Sequence, residues 1–395
     1  MDWKKIRTTF DLEQLYPHHI LEKFHDTSKG IWSNVPDENW YDWKWQLKNR
    51  VEDIETLKKI INMTKEEEVN FEKCSAKFKM SITPYYASLI DSTDSNCPVR
   101  MQSVPYSEEM NILDTDMEDP LAEERDMPVQ GLTHRYPDRV LFYASNDCPT
   151  LCRHCTRKRK VANPSAESQK KQIEDALDYI RQTKTVRDVI VSGGDPLCLS
   201  NQKLDYILGE IRTIKHVEVL RLGTRNPCTL PMRMRDDELL SILEKHQPIH
   251  LNTHYNHPKE CTREALLATT RLSMAGCTVG NQTVLLKGIN DSPEIMTELC
   301  HKLLLMKVRP YYIFQCDLSE GIGHFRTKVS KGVEIIEKMR GWTSGLAIPH
   351  FVVDAPGGGG KIPLGPNYVV GHKDNKLTLR NYEHKEYDYY EPEED

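Results

Sequence analysis

The sequence lacks long hydrophobic runs. No uninterrupted apolar stretch approaches the roughly 18 residues that cross a membrane, and the mean hydropathy is −0.61. The first residues, MDWKKIRTTFDLEQ, also lack the apolar segment of a signal peptide. These absences predict a cytoplasmic protein that is not inserted in a membrane.

An excess of positive charge is also missing. The 395 residues include 53 Lys and Arg against 59 Asp and Glu, which gives a net charge of −6. This balance gives no support to bulk binding of nucleic acids or anionic lipids, because such ligands favour basic surfaces. We therefore expect a small-molecule ligand and no nucleic-acid partner.

Cysteines number eleven, and none of them follows Cys316. An odd, scattered set in a long chain without a secretory signal argues against a disulfide scaffold. Most of these cysteines should therefore be reduced thiols, and some of them are candidate metal ligands.

Residues 1–130 are predicted to form a helical region that ends in a linker. Apolar residues recur at three- and four-residue spacing over 39–63, which predicts helical packing. Thr64 precedes KEEE and is a candidate N-cap, since its hydroxyl can accept a hydrogen bond from the first turn. Over 91–128 the pattern becomes irregular, as is typical of a linker.

From Val140 onward, β-rich runs alternate with helical patterns and, after the first gap, recur about every 30 residues. This alternation predicts an α/β fold over 131–345: a partial (β/α)6 TIM-like barrel with its chemistry at the carboxyl ends of the strands. A doubly wound open sheet has the same periodicity and is the alternative. Residues 346–395 are predicted to form a small β-rich segment whose acidic tail is a mobile end or an oligomer contact. The six runs are 140–145, 187–193, 217–223, 249–255, 278–286 and 309–315.

Three cysteines with the spacing C-x3-C-x2-C follow the first of these runs: Cys148, Cys152 and Cys155. Three thiolates on one loop can bind three irons of a [4Fe–4S] cluster and leave the fourth iron open to a ligand. A zinc site with a further ligand, or three unrelated thiols, are the alternatives. The stretch resembles the signature of the radical S-adenosylmethionine (SAM) superfamily. That resemblance implies a [4Fe–4S] cluster that binds S-adenosylmethionine and cleaves it reductively to a 5′-deoxyadenosyl radical.

Two glycine-rich sequences follow later strand-like runs. SGGD ends the second run, where its glycines permit close backbone approach and Asp195 can accept a hydrogen bond from an ammonium. Gly194 and Asp195 resemble the superfamily's Gly-Gly-Asp element, which contacts the methionyl amine. GGGGK ends in Lys361, and lysine is the residue that forms Schiff bases. A flexible loop with a solvated lysine is the alternative for this second sequence.

Five further segments complete a family resemblance: LTHRYPDRV, LNTHYNHP, GNQTVLLKGIND, RPYYIFQCDLSEGIGHFRT and FVVDAPGGGGK. Together with the cysteine motif, they resemble the lysine 2,3-aminomutase family from about Trp40 to about Asn381. The resemblance implies a barrel of the radical SAM type and an isomerase that holds pyridoxal phosphate as an internal aldimine on the catalytic Lys361. It also implies cofactor contacts at Arg135, Arg139 and Gln282 for pyridoxal phosphate, and at His254 for the adenosyl group.

The same resemblance implies the substrate contacts. Arg157 matches an arginine that pairs with the substrate carboxylate, and Asp317 and Asp354 match two aspartates that bind a distal ammonium. Two buried carboxylates are costly without a cation, so a substrate with a cationic side chain is the consistent partner. The expected reaction converts L-lysine to L-β-lysine by a 1,2-shift of the amino group.

Two other functions remain open at this point. Arginine is an alternative substrate, because a guanidinium can bind the same two aspartates. The basic run RHCTRKRK leaves an RNA-modifying radical enzyme as an alternative of a different class.

The family resemblance also suggests partners. It implies a flavodoxin or ferredoxin as electron donor and a homo-oligomer. Clostridial lysine enzymes of the family bind structural zinc through C-terminal cysteines, and because no cysteine follows Cys316, no such zinc is expected here. Phe314 stands where a tyrosine is common in the family, which removes one hydroxyl from the expected pocket.

Overall fold

The computed structural model describes residues 12–158, 160–161 and 168–392. In this part of the chain, twelve strands form two sheets. The strands are β1 (Leu132–Tyr136), β2 (Arg139–Ser145), β3 (Asp188–Gly193), β4 (Val219–Gly223), β5 (Ile249–Thr253), β6 (Thr278–Leu285), β7 (Arg309–Gln315), β8 (His350–Ala355), β9 (Gly360–Leu364), β10 (Val369–Lys373), β11 (Lys376–Arg380) and β12 (Glu386–Tyr390).

Short helices dominate the described N-terminal region, and longer helices connect most of the parallel strands. None of the helices in the described residues is long and apolar enough to cross a membrane. The α-helices are α1 (Leu12–Leu15), α2 (His18–Leu21), α3 (Asp37–Trp40), α4 (Trp43–Lys48), α5 (Ile54–Leu57), α6 (Lys65–Lys77), α7 (Pro84–Ala87), α8 (Pro98–Ser103), α9 (Ser168–Gln182), α10 (Asn201–Thr213), α11 (Asn226–Thr229), α12 (Asp237–Lys245), α13 (Arg263–Met274), α14 (Pro293–Leu305) and α15 (Val329–Met339). The 3₁₀ helices are Gly30–Trp32, Ser107–Met110, Pro196–Cys198, Pro231–Arg235, Pro258–Glu260, Gly323–Phe325 and Gly345–Ala347.

The larger sheet has nine strands, which lie side by side in chain order from β1 to β9. Strands β2 to β8 are parallel to one another, whereas β1 and β9 are antiparallel at the two edges. A doubly wound sheet would reverse its strand order at a switch point. The prediction of a partial barrel is therefore confirmed, and β8 adds one parallel strand to the six that were predicted.

Alternation along the strands separates the core from the interior of the barrel. In β3, Val189 and Val191 are fully buried in the hydrophobic core, while Asp188, Ile190 and Ser192 line a cavity inside the barrel. Side chains of a strand point alternately to its two faces. The barrel therefore has an apolar outer layer against the helices and a polar interior.

The predicted helical stretch over 39–63 is divided into α3, α4 and α5. Asp42 and Asp53 each accept a hydrogen bond from a backbone amide two or three residues further on, and each therefore begins a new helix. Trp40 is nevertheless buried, as its spacing predicted. Thr64 is the N-cap of α6 and forms a capping box, which confirms that prediction.

One hydrophobic core extends from Leu12 in α1 to Phe351 in β8. The division of the chain into 1–130, 131–345 and 346–395 stays a prediction. The last of these segments supplies β8 and β9 to the barrel sheet and β10 to β12 to a separate three-stranded sheet. Part of the acidic tail forms β12 rather than a mobile end.

A side chain joins the two edges of the barrel sheet. Tyr136, at the end of β1, accepts a hydrogen bond of 3.0 Å from the backbone amide of Lys361 on β9. Gly360 has a φ of 82°, and a Cβ there would lie 3.1 Å from the Tyr136 hydroxyl, so glycine permits this close approach. Arg125 adds a hydrogen bond of 2.9 Å to the carbonyl of Gly357. These contacts fix the glycine-rich turn that carries Lys361.

Candidate active site

A cavity of about 410 Å³ lies inside the barrel. The strands, the segment before β1 and the loop after β2 supply its walls, and it contains both acidic and basic side chains. Six of the residues predicted for the site line it: Arg135, Arg139, Arg157, Gln282, Asp354 and Lys361. Seven others do not line it: Cys148, Cys152, Cys155, Gly194, Asp195, His254 and Asp317.

Lys361 extends into the cavity toward an acidic side chain. Its Nζ atom lies 3.2 Å from each of the two carboxylate oxygens of Asp354. The same Nζ atom lies 5.1 Å from the centre of the Phe314 ring, within cation–π range. A lysine that is partly withdrawn from water and held in one place is suited to covalent attachment of an aldehyde cofactor.

Asp317 is near this ion pair although it lies two residues beyond the end of β7. Burial and the neighbouring Asp354 raise the pKa of Asp317 to about 7, while Lys361 opposes that shift. Among the described residues, none donates a hydrogen bond to the Asp317 carboxylate. The two predicted aspartates thus share one neighbourhood, and a cationic ligand placed beside them would gain two acceptors.

The guanidinium of Arg157 forms an ion pair with a residue that sequence reasoning missed, Glu123. Nε and Nη2 of Arg157 donate to Glu123 Oε1 over 3.0 and 2.6 Å. Burial opposes ionisation of Glu123, but the guanidinium outweighs burial and lowers the pKa of this carboxyl to about 2. Glu123 lies in the segment predicted to be a linker, where only the acidic run ahead of the LTHRYPDRV motif could have indicated it.

Three further arginines line the cavity: Arg135, Arg139 and Arg221. Arg135 bonds to Asp126 at 3.2 Å, and the Arg139 guanidinium lies 3.9 Å from the centre of the Tyr136 ring. Arg221, which sequence reasoning missed, also lines the cavity. Its signal was an arginine inside an otherwise apolar strand, VLRLG.

Several guanidinium groups around one cavity supply the donors that a phosphate group requires. Arg135, Arg139 and Arg221 line the cavity that also contains Gln282 and Lys361. This donor set and the partly withdrawn lysine fit pyridoxal phosphate.

The three cysteines of the motif lie near one another beyond β2. Burial and then Cys155 raise the pKa of the Cys148 thiol, and burial and then Cys152 raise that of Cys155 to about 11. Within the described ranges, no three His, Cys, Asp or Glu side chains converge on the position of a single ion. A [4Fe–4S] cluster instead needs thiolates spread over three irons. Three neighbouring thiols on one loop fit such a cluster.

Arg225 connects this loop to other predicted residues, and sequence reasoning missed it. Its Nη1 atom donates to Cys152 Sγ over 2.7 Å, its Nε atom to the carbonyl of His254 over 3.0 Å, and its backbone amide to Asp195 over 2.7 Å. Arg225 follows the end of β4 by two residues. That position at a strand end was the available signal.

Gly194 and Asp195 have structural roles at the ends of β3 and β4. A Cβ on Gly194 would lie 2.4 Å from the carbonyl oxygen of Asp147, so only glycine fits there. Asp195 is buried, and it accepts hydrogen bonds from the Thr224 hydroxyl and from two backbone amides. Its contact with a methionyl amine stays a prediction.

Two histidines at the cysteine loop, His154 and His254, each have a ring nitrogen without a hydrogen-bond partner in the described residues. Burial lowers the pKa of His254 to about 3, so its ring is neutral near pH 7. Nε2 of His254 and Nδ1 of His154 are buried without a hydrogen-bond partner in the described residues, and the two ring centres are 5.5 Å apart. Such orphaned buried nitrogens indicate a place for a polar ligand. They therefore fit S-adenosylmethionine beside the cysteine loop.

Two family models match the chain. The model of the radical SAM superfamily matches residues 142–300, and the model described as lysine-2,3-aminomutase matches residues 336–395. The first match contains the cysteine loop and five of the seven parallel strands, β2 in part and β3 to β6 completely. The fold and the site thus define a radical SAM protein.

Curated relatives extend over most of the chain. It is 54% identical to L-lysine 2,3-aminomutase of Bacillus subtilis (strain 168), covering 94% of this chain and 79% of the relative. The L-lysine 2,3-aminomutase of Clostridium subterminale is 52% identical, with coverages of 92% and 87%. Glutamate 2,3-aminomutase of Clostridioides difficile (strain 630) is 43% identical, with coverages of 89% and 83%.

The chain belongs to the lysine 2,3-aminomutase family. This membership confirms the family resemblance and the enzyme class, an isomerase. It also confirms the family's cofactors, which are a [4Fe–4S] cluster, S-adenosylmethionine and pyridoxal phosphate. Because the family includes a glutamate enzyme, the substrate has to be argued from the site itself.

Proposed function

We propose that this chain is a lysine 2,3-aminomutase, which interconverts L-lysine and L-β-lysine (3,6-diaminohexanoate) by a 1,2-shift of the amino group. One observation carries the proposal: Asp317 and Asp354 lie beside Lys361, and Asp354 and Lys361 line the same cavity as Arg157. A substrate with one carboxylate and a distal ammonium has a partner for each charge. A distal carboxylate, as in glutamate, would be repelled by the two aspartates.

Each substrate contact has a stated role. Arg157 binds the substrate carboxylate through charge-assisted hydrogen bonds, which fix both position and orientation. Asp317 and Asp354 bind the distal ammonium and thereby set the length of side chain that the site accepts. With both ends held, the α- and β-carbons have one orientation in the cavity, and alternative hydrogen abstractions are disfavoured.

Pyridoxal phosphate and S-adenosylmethionine are held by two different groups of side chains. Arg135, Arg139 and Gln282 hold pyridoxal phosphate, which is attached to Lys361. Gly194, Asp195 and His254 contact S-adenosylmethionine. When bound, the cluster and S-adenosylmethionine supply a carbon-centred radical, and pyridoxal phosphate supplies a conjugated ring that stabilises the unpaired electron. The ligands of the [4Fe–4S] cluster are Cys148, Cys152 and Cys155.

Partners and location follow from the same proposal. We infer a flavodoxin or ferredoxin as electron donor, a homo-oligomer, no nucleic-acid partner and a cytoplasmic location. None of the eleven cysteines, all of which the structure describes, is in a disulfide, which supports a reducing compartment. The acidic balance of the chain supports a small-molecule substrate over RNA.

Anaerobic turnover tests the proposal. The protein is reconstituted with iron, sulfide, pyridoxal phosphate and S-adenosylmethionine, reduced, and incubated with L-lysine and no RNA. We expect β-lysine in the ¹³C NMR spectrum, and none from a Cys155→Ala variant treated in the same way. Absence of β-lysine from protein with full iron and pyridoxal phosphate contents would refute the proposal.

A further inference from the structure

We propose that Glu123 is a positioning residue, which holds Arg157 by one edge of its guanidinium and leaves the other edge to the substrate carboxylate. The inference rests on the proposed function, because it assumes that Arg157 binds that carboxylate. Glu123 itself is assigned no contact with the substrate or with a cofactor.

The contact between the two side chains is fixed and directional. Nε of Arg157 lies 3.0 and 3.2 Å from the two carboxylate oxygens of Glu123, and Nη2 lies 2.6 Å from Oε1. The Glu123 side chain is 7% exposed. A partly buried, multiply bonded guanidinium loses its rotational freedom when the protein folds, so this ordering cost is not paid on substrate binding.

Neighbouring groups hold the carboxylate of Glu123 in place. The Tyr143 hydroxyl donates a hydrogen bond to Oε2, and the Tyr143 ring lies 4.9 Å from the guanidinium carbon of Arg157. The backbone carbonyl of Glu123 accepts a hydrogen bond of 3.4 Å from Thr133 on β1. Both the carboxylate and its backbone are therefore tied to the barrel.

One edge of the guanidinium remains open. Nη1 of Arg157 donates to none of the described residues, and Arg157 lines the cavity that also contains Asp354 and Lys361. A guanidinium can bind two carboxylates, one on each edge, because its five N–H groups point in fixed directions. Glu123 thus determines which edge of Arg157 faces the substrate.

A second cation compensates for two carboxylates on one arginine. Lys160 Nζ lies 3.8 Å from Glu123 Oε2 and 3.6 Å from Glu124 Oε1. When a substrate carboxylate joins Glu123 at Arg157, Lys160 supplies a second cation beside Glu123, while the other carboxylate near Lys160, that of Glu124, is mostly exposed to water. The arrangement therefore favours retention of Glu123 over its displacement by the substrate.

If Glu123 competed with the substrate instead of positioning Arg157, its removal would change the KM for lysine in the opposite direction. If Glu123 only occupied the place of the substrate carboxylate, it would compete with substrate, and its removal would lower the KM for lysine. If Glu123 positions Arg157, its removal raises that KM. The direction of the change therefore decides between the two arrangements.

The experiment compares Glu123→Ala, Glu123→Gln and the control Glu124→Gln in the reconstituted enzyme. Glu124 is on the same segment and also faces Lys160, but it makes none of the hydrogen bonds to Arg157. KM and kcat for L-lysine are measured together with the inhibition constant of 1,5-diaminopentane, which has the distal ammonium but no carboxylate. Turnover by the wild-type enzyme is measured first, so that failure of the proposed function is recognised separately.

We expect Glu123→Ala to raise the KM for lysine by about tenfold or more, the value of one charge-assisted hydrogen bond. The inhibition constant of the diamine should stay within about twofold, and Glu123→Gln, which keeps an acceptor, should regain most of the loss. Glu124→Gln should behave like the wild type. An unchanged or lowered KM in Glu123→Ala, or equal weakening of lysine and the diamine, would overturn the inference. If Glu123→Ala does not fold, Tyr143→Phe replaces it, and an unchanged KM in that variant counts against the inference in the same way.

Discussion

Lys361 Nζ lies 3.2 Å from both carboxylate oxygens of Asp354. The two residues are paired across the antiparallel strands β8 and β9, so the glycine-rich turn between these strands builds the contact. An alkylammonium is also the end of a lysine side chain. The protein's own lysine therefore makes the contact that we propose for the substrate, and attachment of a cofactor to Lys361 leaves Asp354 to that substrate.

The first prediction concerns attachment of the cofactor. After incubation with pyridoxal phosphate and reduction with borohydride, the wild-type protein should retain one covalent pyridoxyl group, whereas Lys361→Ala should retain none, because the reactive amine is missing. Mass spectrometry of the intact chain measures the adduct. Lys376→Ala is the control, since Lys376 pairs with Asp388 on the separate sheet. A full adduct on Lys361→Ala would contradict the assignment.

The second prediction concerns pH. The pKa of Asp317 is raised to about 7 by burial and by Asp354, from an ordinary value of 3.8. Between these pH values the folded protein binds more protons than the unfolded chain, so this group lowers the stability as pH rises from about 4 to about 7. Below about pH 4, Asp317 is protonated in both the folded and the unfolded chain and has no effect on stability. Above about pH 7 it is ionised in both, and its destabilising effect is constant.

Asp317→Asn should therefore be more stable than the wild type at pH 8, with a difference that disappears toward pH 4. Thermal unfolding across this range, before cofactors are added, gives the comparison, because Lys361 then still faces the pair as an ammonium. Glu124→Gln serves as the control. Parallel stability curves for Asp317→Asn and the wild type would show that the pKa of Asp317 is not raised.

A third prediction concerns the cluster ligands. Cys155→Ala should lose most of its iron and its visible absorbance after anaerobic reconstitution, whereas the wild type should hold about four irons per chain. Cys277→Ala is the control, because Cys277 is a free thiol that lies immediately before β6, outside the motif. Equal iron contents in Cys155→Ala and the wild type would exclude Cys155 as a ligand.

The fourth prediction concerns Arg225, which donates to the fully buried Glu260 over 2.7 Å. Arg225→Met leaves that carboxylate without its cation and should lower the free energy of unfolding by about 3 to 5 kcal/mol. Arg187→Met removes an exposed ion pair with Glu218 and should cost less than about 1 kcal/mol. Urea unfolding of the two variants measures both values, and equal losses would contradict the role given to Arg225.

The sequence predicted those parts of the site in which neighbouring residues carry the chemistry. Cys148, Cys152 and Cys155 are close in the chain, and a short motif is sufficient to recognise them. The alternation of β-rich runs with helical patterns about every 30 residues likewise predicted the strands and helices of the barrel.

Contacts between distant residues could not be predicted in this way. Arg157 bonds to Glu123 across 34 positions, and Arg225 bonds to Cys152 across 73. Neither Glu123 nor Arg225 belongs to a motif, and each acquires its role only when the barrel brings separate segments together. The prediction of one helical stretch over 39–63 was incomplete for a local reason. Asp42 and Asp53 begin new helices within an otherwise continuous apolar pattern.

The central claim is that Arg157, Asp317 and Asp354 select a cationic amino acid of the length of lysine. The most direct measurement incubates the reduced, reconstituted enzyme separately with L-lysine, L-arginine, L-glutamate and L-alanine and compares kcat/KM for the four. We predict that L-lysine has the highest value and that L-glutamate is not converted. Conversion of L-arginine alone would contradict the substrate assigned here, and conversion of L-glutamate alone would contradict the role of the two aspartates.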